Sequence, residues 1–465
     1  MSFAFSLRLF LGSPKSQVRN GVIVKKTGER LIVNQAVEIQ IDRTDEDIRL
    51  FKSYLYQSKI LIVDPHKPSG KRLLEILLEL GAQADKIYGV DNFQDAMHVM
   101  EDIKPDVLFS EYYLQGEDVF LLFKHFKKIR PDQNRCLTIL ITSNNNQSYV
   151  ALAAEEEIDV FLIKPYNSDF LKQMLFENSL FKINPSEYLK MVEMGKKLIL
   201  EGKLAEAKDL LVEAQKIVPD PTLAYYYLGQ IDLLNDAKDN AKEKFLSGLA
   251  IHEVHFKSLD GLFNRLIEEN EIKQAYEVVK KMMRFFPFNS ERLTKVLKLA
   301  VVTENYLDIE DYYKVYQDSS ITDNTLKKYI CASLITMGKY YLNEKDLLSA
   351  NKAFQRSASI LSTGVFLRNC IESLCDHQML NEAKYFLQLF SIDERETEHY
   401  KVSSFLVNAL SGNSYESIIE EGKHLVYGDM VNSKIVFKFL YYYLAKTGDH
   451  VAIENLLKKK AEVLS

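Results

Sequence analysis

Between Lys59 and Lys164, short apolar runs alternate with amphipathic stretches. The runs are Ile60–Val63, Asp106–Phe109, Leu137–Thr142 and Val160–Ile163, each bounded by polar or turn-forming residues. Short β-branched and aromatic runs separated by helical patterns predict βαβ units and a parallel sheet. A helix over Gly70–Leu80 and a further strand over Lys86–Val90 complete that pattern. Chemistry in such sheets gathers just past the carboxyl ends of the strands. Those ends carry Asp64 followed by Pro65, then Glu111, Thr142, and Lys164 followed by Pro165.

Past Asn184–Glu187 the strand pattern stops. Pro185 interrupts helix and Ser186 can cap the next one, so a boundary is expected there. A 34-residue period then appears, counted from Tyr188. Gly195, Leu198, Ala207, Leu211, Ala214 and Pro219 fall at positions eight, eleven, twenty, twenty-four, twenty-seven and thirty-two. The unit from Thr222 supplies Gly229, Ala241, Phe245 and Gly248 in phase, and the unit from Phe256 supplies Ala275, Met282 and Pro287. Small residues at fixed points let paired helices approach closely, and large apolar residues fill the seam. The phase degrades after Ser290, where Ile309 stands in place of Ala, and recovers around Gly338, Ala350 and Phe354. This pattern resembles the tetratricopeptide repeat. Six or seven helix pairs are expected, with helices near 399–410, 415–426, 433–445 and 451–463 closing the array.

The strand-end residues, taken in order, resemble the receiver domain of two-component response regulators. That resemblance implies a flavodoxin-like, five-stranded parallel sheet and a phosphoacceptor site at Asp64, Pro65, Glu111, Thr142, Phe161 and Lys164. Two positions depart from the pattern: Glu111 stands where the family has its acceptor aspartate, and Pro65 replaces a second acid. A glutamate places the attacking oxygen about an ångström away, a displacement able to cost ~100-fold in rate. Asp64 and Glu111 are then few ligands for a hard cation that prefers octahedral oxygen. We therefore expect a degenerate site in which Lys164 pairs with Glu111, with no cofactor; the alternative is a live site retaining Mg²⁺. Phe161 occupies the family's aromatic switch position and equally fits a plain core aromatic.

The expected domains are an extension over 1–57, the receiver-like domain over 58–180 and an all-α solenoid over 185–465. In the extension, 21–33 has the pattern of a hairpin, 37–41 of a strand and Asp45–Tyr56 of a helix. Phe3, Phe5, Leu7, Leu9 and Phe10 form an apolar arm expected to pack on the chain's own domains. Glu155–Glu157 has the composition of a solvated turn. In this repeat class the first helix of each pair lines the concave face. Candidate partner-binding positions are Leu189, Val192, Lys196, Ile199, Leu223, Tyr226, Gln230 and Leu233, joined by Lys257, Asp260, Asn264 and Ile267. Their mixture of apolar and polar side chains suits a peptide gripped by apolar anchors.

Composition narrows the remaining classes. A net charge of −6 over 465 residues, without a long basic run, disfavours general nucleic-acid binding. Four cysteines in no metal-ligand spacing suggest buried thiols in a reducing compartment. The apolar start is interrupted by Arg8 and lacks a cleavage site, and no apolar run reaches about eighteen residues. Walker, GxGxxG, HExxH and GxSxG motifs are missing. These observations lead us to expect a cytoplasmic, non-enzymatic adaptor. The family resemblance adds a bacterial-type setting, with partners drawn from a signalling, motility or secretion assembly.

Overall fold

Strands that are apolar at most positions on both faces need cover on both sides, and the sheet receives it. The structure is a computed structural model describing residues 44–130, 135–143, 147–287, 289–319, 323–429, 431 and 433–464. The arm at 3–10, the hairpin at 21–33 and the strand at 37–41 lie outside the described residues. Five parallel strands, β1 (Ile60–Val63), β2 (Ile87–Val90), β3 (Val107–Glu111), β4 (Leu137–Thr142) and β5 (Val160–Ile163), stand in the order 2-1-3-4-5. Side chains alternate across β1: Ile60 and Ile62 join one core, Leu61 and Val63 the other.

On the first face lie α1 (Asp45–Gln57), α2 (Lys67–Glu79) and α6 (Ser168–Ile183); on the second lie α3 (Phe93–Ile103), α4 (Val119–Ile129) and α5 (Gln147–Glu155). Helix α2 begins three residues before the expected Gly70, with Pro68 in its first turn, where a missing N–H costs nothing. Helix α1 starts at a capping box between Thr44 and Asp47. It buries Phe51, Tyr54 and Leu55 on the sheet's first face, where Phe51 meets Phe176 edge-on at 5.1 Å. The last helix of the expected N-terminal extension thus packs into the sheet's core. Between β3 and α4 a short hairpin pairs Tyr113–Leu114 with Glu117–Asp118.

Helix pairs follow: α7 (Glu187–Leu200) with α8 (Leu204–Ala214), α9 (Thr222–Leu234) with α10 (Lys238–Ile251), and α11 (Phe256–Glu268) with α12 (Ile272–Phe285). Ser186 accepts from Leu189 N and caps α7 as expected. Within a pair the repeat's small and large positions interlock. A Cβ at Gly195 would lie 2.8 Å from Leu211, and one at Gly229 would lie 2.6 Å from Phe245. Ala207, Ala214, Ala241 and Ala275 are fully buried in the same seams. Successive pairs are tied by Ala224 N donating to the Tyr188 hydroxyl at 3.2 Å.

The chain divides into two compact units, one ending at Asn289 and one beginning at Ser290. Phe181, near the end of α6, packs against the core of the first helix pair. The second unit contains five further pairs: α13 (Ser290–Val302) with α14 (Ile309–Asp318), α15 (Asn324–Asn343) with α16 (Leu347–Ile360), and α17 (Gly364–Asp376) with α18 (Leu380–Gln388). The last two are α19 (Glu398–Leu410) with α20 (Tyr415–Lys423), and α21 (Lys434–Thr447) with α22 (His450–Leu464). Eight pairs therefore stand among the described residues, where six or seven were expected. Gly338 repeats the interlock, a Cβ there falling 2.5 Å from Phe354. Later pairs bury Phe405, Ile418, Phe437 and Leu440, with Gly422 packed against Leu440 and Phe405 in place of a glycine in the first helix of the pair, so periodicity alone undercounts them.

Candidate functional site

The parallel topology brings the carboxyl ends of β1, β3 and β5 together, and with them three of the expected residues. Lys164 Nζ donates to Glu111 Oε2 at 2.5 Å and to Asp64 Oδ2 at 2.9 Å. The contact expected between Glu111 and Lys164 is present, and Asp64 shares it. The remaining carboxylate oxygens are engaged by backbone: His66 N donates to Asp64 Oδ1 at 2.8 Å and Tyr112 N to Glu111 Oε1 at 3.1 Å. The cluster is shielded, with side-chain exposures of 5% for Asp64, 12% for Glu111 and 22% for Lys164. Burial alone would lower the Lys164 pKa, but its hydrogen bonds to Glu111 and Asp64 outweigh that and raise it above the usual lysine value. The lysine therefore stays charged.

The other receiver positions surround this cluster. Thr142 is buried at the end of β4, and its carbonyl accepts from Lys164 N at 2.7 Å, which sets where the lysine leaves β5. Pro65 follows Asp64 in the β1–α2 turn and offers no oxygen from its side chain. Phe161 is half-buried against the core of the second face, opposite Leu140 in the sheet register.

A receiver fold implies a divalent cation beside its carboxylates. The donor set here does not fit one: the two acids present are already shared by the Lys164 ammonium, and Pro65 supplies no further carboxylate. Among the described residues, no group of three or more His, Cys, Asp or Glu could hold a metal.

The solenoid candidates are not assembled as expected. Leu189 and Val192 are core residues of the first helix pair, only 7% and 1% exposed, and so are not surface anchors. Ile199 and Leu223 pack against the same core. Leu189, Val192 and Ile199 lie in the seam because the apolar stripe of α7 faces α8 and α9, and Leu223 meets them from α9. Gln230 and Leu233 are half-buried, and Lys196 lies 3.9 Å from Glu193. Tyr226 meets the rings of Tyr227, Phe245 and His255, and Lys257 Nζ lies 5.6 Å from its centroid. Burial raises the Tyr226 pKa and lowers that of His255 to about 3, keeping both neutral. Glu157 is exposed, as expected of a solvated turn, and it also pairs with Lys257 of α11. Local sequence carries no signal for this contact, which joins residues a hundred positions apart.

Solved structures similar to this chain include a tetratricopeptide repeat protein from Parabacteroides merdae, at 15% identity and TM-score 0.28, covering 55% of this chain and 98% of that one. Pseudomonas aeruginosa PilF, at 14% identity and TM-score 0.20, covers 54% and 96% respectively. The apo form of the quorum sensor NprR from B. thuringiensis, at 11% identity and TM-score 0.31, covers 69% and 98%. Likenesses this distant carry no functional weight, and the repeat assignment rests on the interlocks at Gly195, Gly229 and Gly338. No curated protein matches the chain. Residues 60–176 match the family model of the response regulator receiver domain, and this stretch of the chain is a receiver domain.

Proposed function

We propose that the chain is a non-enzymatic signalling adaptor whose receiver is held in one charge state while its helix pairs bind partner proteins. The observation that carries this reading is Lys164 bridging Asp64 and Glu111. A phosphoryl group entering the site must break that bridge and meets no metal-binding acid at Pro65. The glutamate's extra methylene further displaces the attacking oxygen. A second reading, a phosphorylation-responsive regulator with a protein-binding output, is favoured by the survival of Asp64, Glu111, Thr142 and Lys164 around one site.

Incubation of the full chain with Mg²⁺ and acetyl phosphate, followed by intact mass measurement, separates the two. The adaptor reading expects an unmodified mass under conditions that label an active receiver. A stoichiometric phosphoryl adduct on Glu111 would establish the second reading instead.

A further inference from the structure

The turn between α5 and β5 reaches the first helices of all three pairs in the first unit. Its Glu157 forms an ion pair with Lys257 on α11. The Lys257 ammonium lies 5.6 and 5.9 Å from the ring centroids of Tyr226 and Tyr227 on α9, a favourable cation–π arrangement. Lys196 on α7 adds its charge to the same carboxylate. One turn earlier, Asn289 Nδ2 donates to Glu155 Oε1 at 3.0 Å.

The receiver side of the contact is also built. Lys127 Nζ donates to the Glu156 carbonyl at 2.5 Å and lies 4.0 Å from Glu157 Oε2, while Lys124 pairs with Glu156 at 3.1 Å. Asp159, two residues on, accepts from Thr138 N and Oγ1 at 2.9 Å and pairs with Lys182 at 2.8 Å. The turn is therefore clamped to the sheet that carries Lys164, and offers its carboxylate outward from a fixed base. Burial would raise the Glu157 pKa, yet Lys257, Lys127 and Lys196 together hold it down to about 2, so the carboxylate remains ionised.

We propose that the face of α7, α9 and α11 that carries Lys196, Tyr226, Tyr227 and Lys257 is an interaction surface occupied in cis by the Glu155–Glu157 turn, latched through Glu157 and Lys257, so that a partner reaches that face only after the Glu157–Lys257 pair opens. The Lys257 ammonium that would serve an external ligand is engaged by the chain's own carboxylate on one side and faces Tyr226 and Tyr227 on the other. This latch does not depend on whether Glu111 accepts a phosphoryl group.

Hydrogen–deuterium exchange on the full chain tests it. Lys257→Met removes the ammonium. Glu157→Gly removes the carboxylate at a backbone φ of 55°, which glycine adopts with less strain, so the turn itself is not weakened. Each variant is expected to raise exchange at 152–160 and along α9 and α11 about five-fold, with β1 and β3 unchanged. The double exchange Glu157→Lys with Lys257→Glu should restore protection relative to Lys257→Glu alone. Unchanged exchange at 152–160 in Glu157→Gly, or a double exchange no better protected than the single, would overturn the latch. If Lys257→Met loosens β1 and β3 as well, Glu157→Gly decides by itself.

Discussion

Removing the Lys164 ammonium tests the centre of the receiver. Its contacts to Glu111 and Asp64 measure 2.5 and 2.9 Å, so the two acceptor oxygens cannot stand further apart than about 5.4 Å. Two like charges at that separation repel by about 3 kcal/mol at an effective dielectric of 20. Water entering the gap left by Lys164→Met screens part of this, and the lost attraction adds to what remains. We expect a net destabilisation of about 2 kcal/mol at neutral pH, below the ~3–5 kcal/mol seen when fully buried pairs are broken. Adding Glu111→Gln removes the repulsion while keeping the side chain's shape. The double variant should recover to within about 1 kcal/mol of the parent, Asp64 still being held by His66 N. The readout is native-state hydrogen exchange at the amides of β1 and β3, because a chain of two units need not unfold in one step. A single variant indistinguishable from the parent would refute the electrostatic account. So would a double variant as unstable as the single one.

Two further outcomes follow from the same geometry. A Cβ at Gly229 falls 2.6 Å from Phe245, so Gly229→Ala should cost about 1–3 kcal/mol in thermal unfolding followed by circular dichroism. Combined with Phe245→Leu, which vacates that space, the loss should be smaller than the two single losses added together; strict additivity would show that the contact is not the cause. The Glu157 carboxyl is depressed in the folded state, so its contribution is complete above the ordinary glutamate range and vanishes as pH falls toward about 2. With 53% of the side chain exposed, screening limits that contribution to about 1 kcal/mol. Unfolding followed from pH 5 downward should therefore be steeper for the parent than for Glu157→Gln, and equal slopes would contradict the assignment.

The receiver was legible because its strands are short apolar runs and its chemistry depends on topology. Once Ile60–Val63, Val107–Glu111 and Val160–Ile163 are parallel neighbours or near neighbours, Asp64, Glu111 and Lys164 must meet at one edge. The sharing of one ammonium by two acids was harder to read, because it depends on side-chain reach within a space only coordinates define. The solenoid's period was visible for the same reason that it packs: glycine admits the leucine or phenylalanine of the facing helix. Which residues remain outside was not visible. Leu189 and Val192 have the composition of a binding face, but a small rotation of α7 about its axis carries both into the seam. Glu155–Glu157 has the composition of a solvated turn and Glu157 is exposed, but that composition says nothing of the distant Lys257 and Asn289 that the turn also meets. The last four helices were legible as helices near their observed bounds, but without the spacing that marks the earlier repeats the number of pairs came out at six or seven, where eight stand among the described residues.

The shared ammonium has a consequence for how such a chain could be controlled. Under the proposed reading, each molecule carries the same charge at the strand ends, so no chemical mark distinguishes one copy from another. What then varies is the number of copies. Partner occupancy follows mass action, rising with the ratio of free ligand to dissociation constant. A bridge between two partners gains from more copies only until each partner holds a separate one, after which complete assemblies become scarcer. Dosage, with an optimum rather than a plateau, would take the place of a phosphoryl signal.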